Sequence, residues 1–71
     1  MKASKATILH AEFLAARVAE LEWGTERQIE TFNELCNVAI AHGLESELED
    51  YAHGATDTEI SNWIVHQLVQ F

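Results

Sequence analysis

The sequence contains no proline and only three glycines, so little in it interrupts a helix. Its single cysteine, Cys36, excludes a disulfide within the chain and fits a reducing compartment. It also lacks any run of about 20 apolar residues, the length that a membrane-spanning helix needs. These absences predict an all-α protein that works in the cytoplasm and does not enter a membrane.

Positive charge is missing from the larger part of the chain. Residues 28–71 hold eight acidic side chains and no lysine or arginine, and the whole chain carries a net charge of −8. In residues 1–27, four basic and four acidic side chains cancel. Such a surface repels nucleic acid and anionic membranes and attracts a basic patch on another protein. The alternative is that the charge serves solubility alone.

The three glycines divide the chain into four segments. Each glycine lies where a residue with positive φ can end a helix, and two of them directly follow a histidine, which suits the negative end of the helix dipole. Thr25 with Gln28 has the spacing of a capping box, and so has Thr56 with Glu59. The sequence therefore predicts one compact bundle over residues 1–71. Its helices, two longer and two shorter, are expected near residues 5–23, 26–42, 45–53 and 57–70.

Apolar residues recur at helical spacing and indicate which faces form the core. The second helix has one apolar stripe, and Cys36 within it is interpreted as a small buried residue. The third and fourth helices repeat this pattern. The expected core residues of helices two to four are Ile29, Phe32, Leu35, Cys36, Ala39, Ile40, Leu44, Leu48, Tyr51, Ala52, Ile60, Ile64, Leu68 and Phe71.

The first helix is apolar on two sides. The expected core side carries Ile8, Ala11, Leu14, Ala15, Val18 and Leu21. A second stripe, on the far side, carries Leu9, Phe13, Ala16 and Trp23. Three short helices of the same chain do not suffice to cover both sides of one helix, so we expect a second copy to cover the second stripe. The bundle is then completed as a homodimer.

Groups that carry chemistry are scattered along the chain. The sequence has no Gly-rich phosphate loop, no His-Glu-x-x-His motif and no paired cysteines, and each of its four histidines stands alone in its segment. We therefore expect no catalytic residue, no metal and no cofactor. A binding protein is favoured over an enzyme.

Trp63 is the residue most indicative of binding. It lies beside the apolar stripe of the last helix, and tryptophan is frequent in binding hot spots. The alternative is that Trp63 packs on the first helix or on a second subunit. An acidic cluster precedes it in the chain and an apolar segment follows it. The residues expected to contact a protein partner with a basic patch are Trp63, Phe71, Glu45, Glu47, Glu49 and Asp50.

Glu26, Glu30 and Glu34 form a ladder along the second helix, one rung every four residues. Adjacent carboxylates in such a ladder lie about 6 Å apart, similar to successive phosphates of a nucleic-acid strand. The spacing allows mimicry of nucleic acid. However, Arg27 is well placed to pair with Glu30, and a solvated helix face is the simpler explanation.

The profile of a very short, acidic, helical and dimer-prone chain with one cysteine resembles that of small phage-encoded host-takeover proteins. Inhibitors of CRISPR complexes and of quorum-sensing regulators belong to this class. The resemblance covers the whole chain and carries over no residue roles, because it rests on the profile and not on a motif. It implies an inhibitor that occupies a functional surface of a host protein. A structural or adaptor subunit, or an antitoxin, that works with a co-encoded partner is the alternative.

Overall fold

A computed structural model describes residues 3–70 and shows four α-helices in that range, with no strand among these residues. The helices are α1 (Lys5–Glu20), α2 (Glu26–Ala41), α3 (Glu45–Ala52) and α4 (Asp57–Gln70). The prediction of an all-α bundle of four helices is confirmed. None of these helices combines the length and the apolar character needed to cross a bilayer.

Three of the helices, α1, α2 and α4, begin at hydroxyl side chains that accept hydrogen bonds from backbone amides. At α1 the hydroxyl of Ser4 accepts from the amide of Thr7 at 3.1 Å. At α2 the hydroxyl of Thr25 accepts from the amide of Gln28 at 3.3 Å. Only one of the two hydrogen bonds of the predicted capping box is present, because the side chain of Gln28 does not accept a hydrogen bond from the amide of Thr25. It is buried instead, and its Nε2 donates to Oδ2 of Asp57 at 2.9 Å.

The capping box at the start of α4 is complete, as predicted. The amide of Glu59 donates to the hydroxyl of Thr56 at 3.2 Å, and the amide of Thr56 donates to Oε1 of Glu59 at 3.1 Å. A hydrogen bond to a carboxylate favours its ionised form, so these contacts with Thr56 lower the pKa of Glu59 below its ordinary value. The first turn of α4 is therefore well defined by its own sequence.

α1 is shorter at its carboxyl end than the predicted helix over 5–23. The backbone of Leu21 is extended, with φ −75° and ψ 148°. A turn follows, in which the amide of Thr25 donates to the carbonyl oxygen of Glu22 at 3.3 Å. Gly24 is the third residue of this turn, and its φ is +83°, as a type II turn requires at that position. Gly24 thus shapes the connection to α2, and the prediction that it ends the first helix is wrong.

The end of α2 agrees with the prediction. Gly43 follows the last turn with φ of +80°, and its amide and that of the next residue donate to the last carbonyl groups of the helix at 3.0 and 3.1 Å. This Schellman arrangement needs a residue that tolerates a left-handed backbone. Nδ1 of His42 donates to the carbonyl oxygen of Val38 at 3.0 Å. The histidine therefore satisfies a backbone group that the helix leaves unpaired.

α1 is the central element of the packing. It packs against both α2 and α4, whereas α3 packs against α2 and α4 and, in the described part of the chain, not against α1. A short turn joins α1 to α2, and the end of α1 lies beside the start of α4, so α1 runs antiparallel to both. The shared core consists of Ala3, Ala11, Leu14, Ala15, Val18, Leu35, Ala39, Leu44, Leu48, Ile60, Ile64 and Leu68.

The cores of α2 and α3 are narrower than the sequence predicts. Ile29 and Ile40 are 48% and 43% exposed, and Tyr51 is 38% exposed. Ala52 is also exposed, and Cys36 is half-buried. The apolar stripe of α2 is wider than the surface that its neighbours cover, so its outer edge meets solvent. The assignment of Ile29, Ile40, Tyr51 and Ala52 to the core is therefore wrong.

Candidate protein-binding surfaces

The side chains of Tyr51 and Trp63 stack on each other and join α3 to α4. Their ring centroids are 5.0 Å apart, and the ring planes are inclined by 11°. Trp63 is half-buried against the edge of the core, while Tyr51 reaches further into solvent. Trp63 thus packs on α3, a neighbour that the sequence does not indicate. The periodicity of α3 assigns Tyr51 to the core and so conceals this contact.

The four acidic residues of α3 are all exposed, but they do not lie on one side of the helix. At about 100° per residue, Glu47 lies one turn before Tyr51 on the same side, and Asp50 lies next to Glu47. Glu45 and Glu49 lie on the opposite flank. Two of the four carboxylates expected to bind a partner, Glu47 and Asp50, therefore lie on the flank of α3 nearer to Tyr51. The aromatic surface, as we name it, consists of Glu47, Asp50, Tyr51 and Trp63.

Phe71, which the sequence also assigns to the partner site and to the core, lies outside the described residues. Leu68, three positions earlier, is fully buried. Val69 is 47% exposed. The apolar end of α4 thus contributes one side chain to the core and one to the surface.

The far side of α1 is exposed and apolar, as the second stripe of the first helix predicts. Leu9 is 57% exposed and Phe13 is 61% exposed, and Ala6 and Ala16 are exposed beside them. At about 100° per residue these four side chains point away from the core. Trp23 does not extend the stripe, because α1 ends before it, and it is 82% exposed in the following turn. The outer face of α1, as we name it, consists of Ala6, Leu9, Phe13 and Ala16.

The three glutamates of the ladder on α2 are exposed, and one of them, Glu34, contacts a histidine of α1. Oε1 of Glu34 lies 3.4 Å from Nε2 of His10 on α1. The expected pair of Arg27 with Glu30 is not among the ion pairs of residues 3–70. The contact engages one carboxylate of the ladder within the chain itself, which favours the interpretation of a solvated helix face over that of nucleic-acid mimicry.

A concavity of about 490 Å³ lies where α1 ends and α4 begins. Trp23 lines it, and so does the buried Gln28, whose amide is already bonded to Asp57. Within residues 3–70, no buried side-chain nitrogen or oxygen lacks a hydrogen-bond partner. Among these residues, the concavity therefore presents no unpaired buried polar group that could recognise a ligand.

Cys36 is half-buried on α2. Burial raises the pKa of its thiol above the ordinary value, and the negative charge of Asp57 raises it further. The thiolate is the reactive form of cysteine, so this thiol is less reactive than one in solvent. The structure is consistent with a packing role for Cys36.

We expect Cys36 to react several-fold more slowly with iodoacetamide in the folded chain than in the chain unfolded by urea. The raised pKa lowers the thiolate fraction, and burial limits access. The measurement is the alkylation rate at pH 8, followed by mass spectrometry, with a cysteine-containing peptide as the control for urea. Equal rates in the two states would show that the folded chain does not shield the thiol of Cys36.

Protein-family models, curated proteins and solved structures were each compared with the chain, and none matches it. Within residues 3–70, no group of three or more His, Cys, Asp or Glu side chains lies close enough together to hold a metal ion. The distinctive features of the surface are the aromatic surface, the outer face of α1 and the excess of acidic groups.

Proposed function

We propose that the chain is a non-catalytic protein inhibitor or modulator that binds a host regulatory or defence protein through the aromatic surface. In this proposal it is encoded by a phage or another mobile element and acts in the host cytoplasm. The observation that carries the proposal is the Tyr51–Trp63 stack, in which Tyr51 is exposed and Trp63 half-buried, with two exposed carboxylates on the same flank of α3 as Tyr51. The resemblance to small phage-encoded inhibitors supports the same class.

The stack supports tight binding because its two rings are ordered before a partner arrives. Tyrosine and tryptophan bury large apolar areas with few rotatable bonds and are enriched among binding hot spots. Trp63 stacks on the ring of Tyr51 and also packs against the edge of the core. A partner therefore meets a fixed apolar surface, and little side-chain entropy is lost on binding.

The charges around the stack indicate the chemistry of the partner. Glu47 and Asp50 are exposed on the same flank of α3 as Tyr51, and residues 28–71 contain no lysine or arginine. A protein with an apolar pocket rimmed by basic side chains complements this surface and is steered towards it at low ionic strength. Nucleic acid and anionic membranes are repelled by the same charges.

The test begins with capture of the partner by the tagged chain and continues with binding kinetics on the purified pair. Trp63→Ala should raise the dissociation constant by about 30-fold, on the order of 2 kcal/mol, mainly through faster dissociation. Trp63→Phe retains an aromatic ring against Tyr51 and should lose less. Circular dichroism confirms that each variant is folded. Binding unchanged in a folded Trp63→Ala variant would contradict the proposal.

The acidic residues of α3 provide a matched test of the electrostatic part. Glu47→Gln with Asp50→Asn should slow association and flatten its salt dependence, because these carboxylates lie on the flank of α3 nearer to Tyr51. Glu45→Gln with Glu49→Gln removes the same charge from the opposite flank and should have a smaller effect. If both pairs change the association rate equally, net charge alone steers the partner. An enzyme-like turnover of the captured protein would contradict a stoichiometric inhibitor.

A further inference from the structure

We propose that the outer face of α1 binds a second copy of this chain, with the two α1 helices antiparallel across a two-fold axis. This inference does not rest on the proposed function, because the aromatic surface lies on α3 and α4. It rests on exposed apolar side chains and on the order of charges along α1.

The apolar part of this face is contiguous. Leu9 and Phe13 are 57% and 61% exposed and lie one turn apart, with Ala6 and Ala16 beyond them on the same side. Two large apolar side chains at the centre and two small ones at the ends let a second helix approach closely. Covering these side chains removes apolar area from water, which favours association.

The charges of α1 select a second copy as the occupant. The chain carries a net charge of −8, so most of its surface repels an identical molecule. Within α1, however, Lys5 and Arg17 balance Glu12 and Glu20. This is the side from which two copies approach each other with the least repulsion.

The order of the charges fixes the direction of the pair. Lys5 at the start of α1 and Glu20 at its end flank the outer face and are both exposed, and Oε2 of Glu20 also lies 3.8 Å from Nη1 of Arg17 in the same helix. In an antiparallel pair with its axis near Phe13, Lys5 of each copy lies opposite Glu20 of the other, and Leu9 lies opposite Ala16. A parallel pair would instead place like charges opposite each other. The face is therefore complementary to itself in one direction only.

The expected association is weak. The outer face is one helix wide and about 15 Å long from Ala6 to Ala16, since α1 rises about 1.5 Å per residue. A standard interface buries about 800 Å² on each partner, so this smaller strip is expected to give a dissociation constant in the micromolar range.

Sedimentation equilibrium of the full chain between about 1 µM and about 1 mM tests the proposal. The apparent mass should rise from the 8.0 kDa of one chain towards twice that value. Phe13→Glu should raise the dissociation constant at least about tenfold, because it places a charge in the apolar centre. Ile40→Glu adds the same charge at a similarly exposed residue of α2 and should leave the constant within about twofold. A wild-type monomer throughout, or equal effects of both variants, would overturn the proposal.

Charge reversal tests the direction of the pair. Lys5→Glu and Glu20→Lys should each weaken association several-fold, and the two together should restore it, because opposite charges then face each other again. Neither change weakens α1 through its dipole, since acidic residues suit a helix start and basic residues suit a helix end. Failure of the double variant to recover would overturn the antiparallel arrangement.

Discussion

Replacing Ile64 by alanine is expected to remove about half of the free energy of unfolding of the monomer. Ile64 is fully buried at the centre of α4, and truncation of such a side chain costs about 2–5 kcal/mol. A chain of this length has a stability of roughly 4–10 kcal/mol, at about 0.05–0.15 kcal/mol per residue. The melting temperature should therefore fall by at least about 8 °C.

Urea and thermal unfolding followed by circular dichroism measure this loss. Val69→Ala is the control, because Val69 lies on the same helix but is 47% exposed, and it should change the stability by less than about 0.5 kcal/mol. Similar losses in both variants would contradict the difference in burial between Ile64 and Val69, because both substitutions raise the helix propensity of α4 and only the loss of core packing can destabilise it.

The second large effect is expected at the buried hydrogen bond between α2 and α4. Gln28→Glu replaces the amide that donates to Asp57 with a carboxylate, and Gln28 is only 2% exposed. Two carboxylates in contact should destabilise the chain by on the order of 3 kcal/mol at pH 7.

The loss should depend on pH with a defined sign. Burial and the charge of Asp57 raise the pKa of the introduced carboxyl in the folded state above its unfolded value of about 4.3. Stability is then lost as pH rises through the raised folded pKa, and it returns below the unfolded pKa, where the carboxyl is protonated and donates to Asp57. Unfolding by urea at pH 4 and pH 7, relative to the wild type at each pH, measures this difference.

A double variant tests the geometry of the same bond. Gln28→Glu combined with Asp57→Asn exchanges donor and acceptor, so the amide now donates to the carboxylate across the same 2.9 Å. Most of the stability at pH 7 should return, apart from the modest helix-dipole contribution of Asp57, which Asp57→Asn alone measures. Additive losses in the double variant would show that the two side chains do not contribute through their contact.

The parts of the fold that local chemistry controls could be predicted from the sequence. The complete capping box of Thr56 and Glu59 and the helix end at Gly43 each depend on residues within one or two turns. The end of α1 was not predictable from Gly24 alone, because a positive φ serves a turn as well as a helix end. The sequence shows that a glycine is needed there but not which of the two structures uses it.

The contacts that define the surfaces depend on distant parts of the chain. Gln28 and Asp57 are 29 positions apart, and their hydrogen bond replaces the reciprocal cap that local spacing predicts. Tyr51 has the spacing of a core residue on α3, yet its ring is exposed and stacks on Trp63 of α4. The outer face of α1 was predictable, because an apolar stripe opposite another apolar stripe is a property of one helix alone.

Because α3 is short, partner binding is coupled to the local detachment of this helix from the rest of the fold. With 8 residues, α3 is below the roughly 12–15 that an isolated helix needs in water, and it does not contact α1 in the described part of the chain. Its attachment depends on buried leucines and on the ring of Trp63, so it is the element expected to detach most readily while the other three helices stay folded. A partner that contacts both stacked rings binds only those molecules in which α3 is packed against α4. The apparent affinity is reduced by the fraction of molecules in which α3 is open, and partner binding in turn holds α3 closed.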